Sequence, residues 1–234
     1  GTASGGHVEY SLDDIDYQEE IPTGTAAGPY VVYYKVVGDA NHAGSTKPGQ
    51  VSVTIKQKEI ITPAITLAQD SYIYNGSAYE PTVTVQDDKE LIDGDEYSVS
   101  YRNNVNAGTA TVIVSDKSGG NYIVNSTANF EITKAAPTFT PPEGITGLQY
   151  NGALQELVKA GVSHEGTVVY SVNGGNDSTA IPTAAAVGQY TITYKVLGDA
   201  NHSDTAPATL TVDIDKNKVT VPKISLSSNR DRKS

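Results

Sequence analysis

An internal repeat is the feature that most constrains the fold. The segment 30–42, YVVYYKVVGDANH, returns 160 residues later as YTITYKVLGDANH at 190–202. Midway between them, 110–122 reads ATVIVSDKSGGNY and keeps Asn121, with Gly108 before it at the place of the glycines that precede the other two copies. A period of 80 residues is typical of an array in which one small structural unit is repeated head to tail.

The repeat divides the chain into four segments. Aligning the copies places Gly1 on Gly161, so 148–160 of the later copy has no counterpart in the first. We therefore expect residues 1–57 to be a repeat that lacks its opening strands, with a core that is partly open or is covered by something else. The other segments are a complete short-form repeat at 58–134, a complete long-form repeat at 135–216, and the opening strand of a truncated fourth repeat at 217–234. The first three segments are called the first, second and third repeats below.

Alternation of apolar and polar residues predicts β-strands throughout. In the third repeat Val168, Tyr170 and Val172 share one face and their neighbours face the other way, which is typical of an antiparallel sheet packed on a second layer. The expected fold is all-β, a tandem of small Ig-like β-sandwich modules. A β-grasp-like module with one short helix is the alternative, because ALQELVKA at 153–160 has a helical composition. The corresponding PTVTVQ at 81–86 is extended in character and favours a strand.

Composition excludes several classes of function. The chain has no Cys, which rules out disulfides, thiol catalysis and Cys-based zinc sites. Its net charge of −11 argues against a nucleic-acid partner, because phosphate binding needs clustered Lys and Arg. No apolar run approaches the roughly 18 residues that a membrane span requires, so we expect no span in this segment.

The repeated GDANH turn contains candidate metal ligands. Asp39, Asn41 and His42 recur as Asp199, Asn201 and His202, but the second repeat has Gly119 and Tyr122 in place of Asp and His and keeps only the Asn. Because a shared metal site would not survive that replacement, a structural role in shaping the turn is favoured.

The acidic loop with Asp13, Asp14, Asp16, Glu19 and Glu20 offers oxygen ligands for Ca²⁺ but lacks EF-hand spacing, so a solvated loop is favoured. We predict no metal and no cofactor.

Catalysis and surface chemistry give only weak signals. The four His residues, His7, His42, His164 and His202, form no constellation with a nucleophile or a paired acid, so we predict that the chain is not an enzyme. Lys35 and Lys195 lie in mid-strand, where some surface proteins place an isopeptide lysine, but the alternation puts both on the outer face. Exposed tyrosines can stack on sugar rings, and the candidates are Tyr17, Tyr33, Tyr72 and Tyr79. No ligand-binding residue is assigned.

The motifs resemble a known family. The succession YNG, YSV and YxxxYKVxGDANH, ending in an apolar strand before Lys, resembles the MBG and YDG-type repeat modules of large bacterial cell-surface proteins, and the resemblance covers nearly the whole chain. It implies an extracellular location, on the bacterial surface or secreted, and a non-catalytic structural role as a stalk or adhesin spacer. A glycan- or host-ligand-binding adhesin module and a non-catalytic appendage of a secreted glycoside hydrolase are the alternatives.

Several partners are expected. They are neighbouring modules of the same protein and, for the adhesin alternative, a glycan or a host surface protein. The segment 219–226, VTVPKISL, resembles the opening IITPAITL of the second repeat at 60–67. Strand exchange between this tail and the open first repeat of another molecule is a further possibility.

Overall fold

The computed structural model describes residues 1–225, and within them the chain is all-β with no helix. The chain forms two compact units, Gly1–Thr133 and Lys134–Ser234. The strands are, in chain order, β1 (Gly6–Ser11), β2 (Gly28–Gly38), β3 (Gly49–Ile55), β4 (Lys58–Glu59), β5 (Ala64–Leu67), β6 (Ser71–Ile73), β7 (Val83–Gln86), β8 (Tyr97–Arg102), β9 (Gly108–Asp116), β10 (Tyr122–Ile123), β11 (Ser126–Thr133), β12 (Phe139–Thr140), β13 (Glu143–Gly144), β14 (Leu148–Gln149), β15 (Gln155–Glu156), β16 (Val158–Lys159), β17 (Val162–Ser163), β18 (Gly166–Val172), β19 (Thr183–Ala184), β20 (Gly188–Gly198) and β21 (Ala208–Asp215).

The first repeat is a single antiparallel sheet in the order β1-β2-β3. Within residues 1–57, all of which the structure describes, Ser11 alone is buried, and no apolar side chain is. The alternation along β2 predicts that Tyr34 packs inward, but its side chain is 42% exposed. Its predicted face is correct, but no second layer covers that face in the first repeat. That residues 1–57 are a repeat without its opening strands stays a prediction.

The second repeat is a complete sandwich. Its main sheet has the order β6-β11-β9-β8, and the short pairs β5-β7 and β4-β10 complete it. The alternation places the apolar residues of these strands on one face, where they form a single core with the opening segment. The core residues are Ile60, Val83, Val85, Leu91, Tyr97, Ala110, Val112, Val114, Val124, Phe130 and Ile132.

The third repeat has the same architecture. Its main sheet has the order β14-β21-β20-β18, and the short pairs β12-β17, β13-β16 and β15-β19 accompany it. Its core contains Leu157, Val158, Tyr170, Ala184, Ile192, Val212 and Ile214. The predicted fold class, tandem Ig-like β-sandwich modules, is confirmed.

The segment 153–160 is extended, as β15 and β16 show, so the alternative with a short helix is wrong. Its residues Leu157 and Val158 are fully buried because the segment runs across the core face of the main sheet. Burial rather than local propensity decides its conformation.

The Tyr-Asn-Gly turns are built as their sequence predicts. Asn75 Oδ1 accepts a hydrogen bond of 2.8 Å from the N–H of Ser77, and the next residue, Gly76, has a φ of 80°. Asn151 does the same for Ala153 at 2.9 Å, and Gly152 also has a φ of 80°. A positive φ of this size is cheap only for glycine, so these turns depend on it.

In the first and third repeats the loop that follows β1 or β18 folds back on that strand. Tyr10 and Gln18 exchange backbone hydrogen bonds of 2.7 and 2.9 Å, and Tyr170 and Ser178 exchange two of 2.8 Å. In the third repeat Ser171, predicted to face outward with a polar surface, is only 7% exposed. The alternation assigned its face correctly but not its burial.

The tail and the segment boundaries add two observations. The described part of the expected opening strand at 217–234, residues 217–225, forms no strand in this single chain. A lone strand has no neighbour with which to exchange hydrogen bonds; residues 226–234, with the end of the 219–226 motif, lie outside the described residues. The first two repeats fall in one compact unit, and the four-segment division stays a prediction. No helix in the described part of the chain could cross a membrane.

Candidate functional site: the entry clamp of the second and third repeats

The Asp side chain of the GDANH turn accepts hydrogen bonds from other residues of the same turn. In the third repeat Asp199 Oδ1 accepts hydrogen bonds from the N–H groups of Asn201 and His202 at 2.8 and 2.9 Å and from His202 Nδ1 at 2.8 Å. In the first repeat Asp39 Oδ1 accepts from the Asn41 N–H and from His42 Nδ1, both at 2.8 Å. These contacts are those of a side chain that closes a loop.

The same hydrogen bonds set the electrostatics of the turn. The Asn201 N–H, followed by the His202 ring, lowers the pKa of Asp199, and the Asn41 N–H and the His42 ring lower that of Asp39. In each turn the backbone N–H and the His ring stabilise the ionised carboxylate by donating hydrogen bonds to it. The carboxylates therefore stay charged at neutral pH and hold the turn in one conformation.

The turn of the third repeat binds the segment that enters that repeat. The N–H of Ala135 donates to the Asn201 carbonyl at 3.0 Å, and the Ser203 N–H donates to the Ala135 carbonyl at 2.8 Å. Ala135 and His202 are thereby bridged in parallel, and Lys134 Nζ donates to the Asp199 carbonyl at 2.8 Å. We call this pairing of an entering segment with the turn the entry clamp.

The second repeat has the same clamp with different side chains. The N–H of Lys58 donates to the Asn121 carbonyl at 2.9 Å, and the Ile60 N–H donates to the Ile123 carbonyl at 3.0 Å. β4 and β10 therefore pair in parallel. Since the clamp uses backbone carbonyls, the second repeat can replace the Asp and His of the turn and still bind its entering segment.

In the unit Gly1–Thr133, the clamp of the second repeat also contacts the first repeat. Asn121 Oδ1 accepts a hydrogen bond of 2.7 Å from the Ala27 N–H. Gln57 Nε2 donates to the carbonyls of Gly120 at 2.8 Å and Tyr122 at 3.3 Å. The sequence indicated Asn121 as a turn residue but gave no sign of its bond to Ala27, which depends on contact between two repeats.

The remaining candidate ligands are not brought together. No group of three or more His, Cys, Asp or Glu side chains in the described part of the chain could hold a metal ion. His7 lies 3.6 Å from Glu9 and 3.4 Å from Glu19, whereas His42 and His202 belong to the separate turns. In the third repeat His202 Nε2 also lies 4.0 Å from Glu165, the residue after His164, so acidic partners lie on both ring nitrogens of His202.

The carboxylates of the acidic loop in the first repeat accept hydrogen bonds from other residues of the same loop. Asp13 Oδ1 accepts from the Ser11 hydroxyl at 2.6 Å and from the N–H groups of Ile15 and Asp16, both at 2.9 Å. These bonds, the Ser11 hydroxyl first, lower the pKa of Asp13 to about 2. The Tyr17 hydroxyl donates to Asp14 Oδ1, so two of the acidic groups are engaged in shaping the loop.

The two mid-strand lysines form ion pairs on the outer face. Lys35 Nζ lies 3.2 Å from Glu9 and 4.1 Å from the centroid of the Tyr17 ring. Lys195 Nζ lies 2.8 Å from Asp177, and the two lysine side chains are 38% and 29% exposed. An isopeptide lysine needs apolar surroundings, and these lysines have solvated acidic partners instead.

The four tyrosine candidates are half-buried rather than exposed. Tyr72 stacks on Tyr79 with ring centroids 4.3 Å apart, meets Phe130 edge-on at 5.6 Å, and both tyrosines pack against the second core. The Tyr79 hydroxyl donates to the Ile73 carbonyl at 2.6 Å. The expectation of exposure was wrong because the alternation does not show how the opening segment lies against the sheet.

Comparison with known proteins gives structural neighbours alone. No protein-family model matches the chain, and a search of curated proteins finds no significant match. The crystal structure of Drosophila N-cadherin EC1-4 is 12% identical with a TM-score of 0.32, covering 92% of this chain and 67% of that one. The Sidekick-1 immunoglobulin domains 1-5 are 14% identical with a TM-score of 0.31, covering 91% of this chain and about half (53%) of that one. Both scores are below 0.5, so the fold assignment relies on the strand pairing described above.

Proposed function

We propose that the chain is a non-catalytic structural segment of an extracellular bacterial surface protein, where its repeats act as a stalk or adhesin spacer. The resemblance to MBG and YDG-type modules and the lack of an assembled catalytic group in the described residues support this role. A stalk transmits force along the chain, so each complete repeat must resist being pulled from its two ends.

The parallel pairing of the last strand of each complete repeat with the short strand before the Tyr-Asn-Gly turn carries the proposal. In the second repeat β6 pairs in parallel with the last strand, β11, with Tyr72 opposite Ile132. In the third repeat β14 pairs in parallel with the last strand, β21, with Leu148 opposite Ile214. When the two ends of such a repeat are pulled apart, parallel strands slide past one another and their hydrogen bonds are loaded together. Antiparallel neighbours pulled from the same end are instead loaded one bond at a time.

The entry clamps add a second parallel contact to each complete repeat. Lys58–Glu59 pairs with Tyr122–Ile123, and Ala135 is bridged to His202. Both contacts lie where the chain enters the repeat, so tension reaches them early. The clamp therefore provides a structural role for the GDANH and GGNY turns that requires no ligand.

Single-molecule force spectroscopy tests this function. The chain has no Cys, so cysteines added at its two ends give unique attachment points. We expect two discrete unfolding steps, each releasing roughly 80 residues, or about 250–300 Å at 3.3–3.6 Å per residue.

A second attachment geometry is the control. Gln189 and Asp213 are exposed and opposite each other in the antiparallel pair β20-β21, so cysteines there unzip the third repeat. The force should be clearly lower than for the ends. Equal forces in both geometries would contradict the proposal.

The adhesin and glycoside-hydrolase alternatives predict different results. A glycan array and a host-protein panel with the whole chain should show no saturable binding for a spacer. Specific binding that is lost on Tyr17→Ala or Tyr33→Ala would favour the adhesin alternative. A catalytic domain elsewhere in the same polypeptide would favour the appendage alternative.

A further inference from the structure

The second repeat has an edge strand whose counterparts are covered in the other two repeats. β8 lies at the edge of its main sheet, as β1 and β18 do in the first and third repeats. Tyr170 of β18 is opposite Tyr194, and Val114, one repeat period before Tyr194, is opposite Val99 of β8. Val99 therefore occupies the position of Tyr170 in the third repeat and, by the same register, of Tyr10 in the first.

A loop covers this position in the first and third repeats. Tyr10 and Tyr170 each donate and accept a backbone hydrogen bond with the loop that follows their strand, and the Gly175 N–H also donates to the Val172 carbonyl at 3.0 Å. In the second repeat only residues 103–107 separate β8 from β9. A link this short cannot fold back along β8, so the edge that the loop covers in the other repeats is left open here.

The backbone groups of Val99 and Tyr101 point to this open edge. The Tyr97 carbonyl accepts a hydrogen bond of 2.9 Å from the Gly94 N–H on the edge side, and alternate residues of an antiparallel strand direct their backbone groups to the same side. Within the described part of the chain, no backbone hydrogen bond reaches the edge side of Val99 or Tyr101. β8 has the sequence YSVSYR, without the proline or lysine that commonly protects an edge strand. The edge is therefore available to another strand.

The charges at the two ends of β8 are opposite in sign. Arg102 is exposed at the end of the strand and has no ion-pair partner among the described residues. Asp93, Asp95 and Glu96 lie at its start, where Asp93 is bridged to the first residue of the strand and Glu96 pairs with Lys89 at 2.8 Å. We call these three carboxylates the acidic end. An antiparallel copy of β8 would bring the arginine of each strand towards the acidic end of the other.

We propose that the edge of β8 is a self-association surface that binds β8 of a second copy of the chain. The two strands lie antiparallel about a two-fold axis at Ser100, so that Val99 of each copy exchanges both backbone hydrogen bonds with Tyr101 of the other. Arg102 of each copy then lies next to the acidic end of the other. The pairing joins the main sheets of two second repeats into one sheet. This surface goes beyond the stalk function and does not rest on it.

Sedimentation velocity of the whole chain over a range of concentrations tests the proposal, at a salt concentration that screens the net charge of −11. We expect a reversible dimer that Ser100→Lys weakens at least about fivefold, because the pairing places two like charges directly opposite each other. Thr127→Lys is the matched control. Ser100 and Thr127 are both exposed and both opposite Ile113 of β9, so this lysine lies on the same sheet face but away from the edge. It should change the affinity less than about twofold.

A charge-swap experiment separates loss of the interface from loss of the fold. Ser100→Lys and Ser100→Glu should each weaken self-association, whereas a mixture of the two variants places opposite charges at the two-fold axis. We expect the mixed dimer to form at least about fivefold more tightly than either variant alone. A mixture that associates no better than the single variants would overturn the proposed register, and variants that had failed to fold could not give the rescue.

Amide hydrogen exchange locates the interface within β8. The N–H groups of Val99 and Tyr101 should exchange at least about fivefold more slowly in a concentrated sample than in a dilute one. The N–H of Ser100 points to β9 by the alternation of the strand, so its exchange should not depend on concentration. A chain that stays monomeric up to about 1 mM would overturn the proposal. A dimer that both Ser100 variants leave unchanged would also overturn it, because its interface would lie elsewhere.

Discussion

The contrast between a covered and an open sheet face makes a matched pair of substitutions informative. Val212→Ala and Val53→Ala make the same chemical change at equivalent register positions of the third and first repeats. The two sites differ mainly in whether another segment packs over them, since Val212 is 3% exposed and Val53 is 47% exposed. Any large difference in their effects therefore measures the packing of the opening segment.

The expected magnitudes follow from the burial. Removing two methyl equivalents from a buried site costs about 1.6 kcal/mol at about 0.8 kcal/mol per CH₂, and the cavity left behind adds to this. We expect Val212→Ala to lower the free energy of unfolding of the third repeat by about 2–3 kcal/mol. Val53→Ala should cost the first repeat about 0.5–1 kcal/mol, because its side chain is already half-solvated and leaves no closed cavity.

Hydrogen exchange read by mass spectrometry in increasing urea is the suitable assay, because each peptide reports on one repeat. A single melting curve would mix several units and would not be two-state. Val212→Ala should shift the urea midpoint of peptides from the third repeat and leave those from the unit Gly1–Thr133 unchanged. Equal effects of the two substitutions would refute the reasoning that the segment 135–160 covers Val212 and that Val53 lies on an uncovered sheet face.

Two further predictions concern the entry clamps. Asn121→Ala removes the acceptor for the Ala27 N–H, so exchange of that amide should accelerate by the equivalent of about 0.5–1.5 kcal/mol, whereas Asn125→Ala, which loses only a bond to Asp116, should leave it unchanged. The pKa of Asp199 in the folded state is below its unfolded value of about 3.9. Its contribution to the stability of the third repeat is therefore complete above the unfolded pKa and is lost as the pH falls through the folded pKa. The thermal midpoint of the third repeat should fall below about pH 4, and Asp199→Asn, which cannot titrate, should show a smaller fall; an equal fall would exclude the carboxylate as the cause.

Much of the fold could be predicted because the sheet faces are encoded locally. The alternation of Ile192 with Thr191 and Thr193 predicts that Ile192 faces the core, and it is fully buried. The Asn-Gly turn at 151–152 was equally readable, because few other residue pairs accept its backbone conformation. These features depend on residues that are neighbours in sequence.

Features that depend on contacts between residues distant in sequence could not be predicted. The bond from Ala27 to Asn121 requires two repeats to meet, and neither residue type indicates a partner. The stacking of Tyr72 on Tyr79 and the burial of Ser171 under a folded-back loop depend on how connecting segments lie over the sheet. The entry clamp could not be predicted from the sequence, because it is formed by backbone N–H and carbonyl groups that every residue type provides.

The unfolding force of the third repeat in a Tyr150→Pro variant tests the central claim most directly. The N–H of Tyr150 donates to the Asp215 carbonyl at 2.8 Å at the end of the parallel pair, and proline lacks this donor. Tyr150→Ala is the matched control, since the side chain is 46% exposed and alanine keeps the N–H. Pulled from its ends, the third repeat should unfold at a lower force in Tyr150→Pro than in Tyr150→Ala. An unchanged force would show that the parallel pair does not bear tension and would contradict the stalk function.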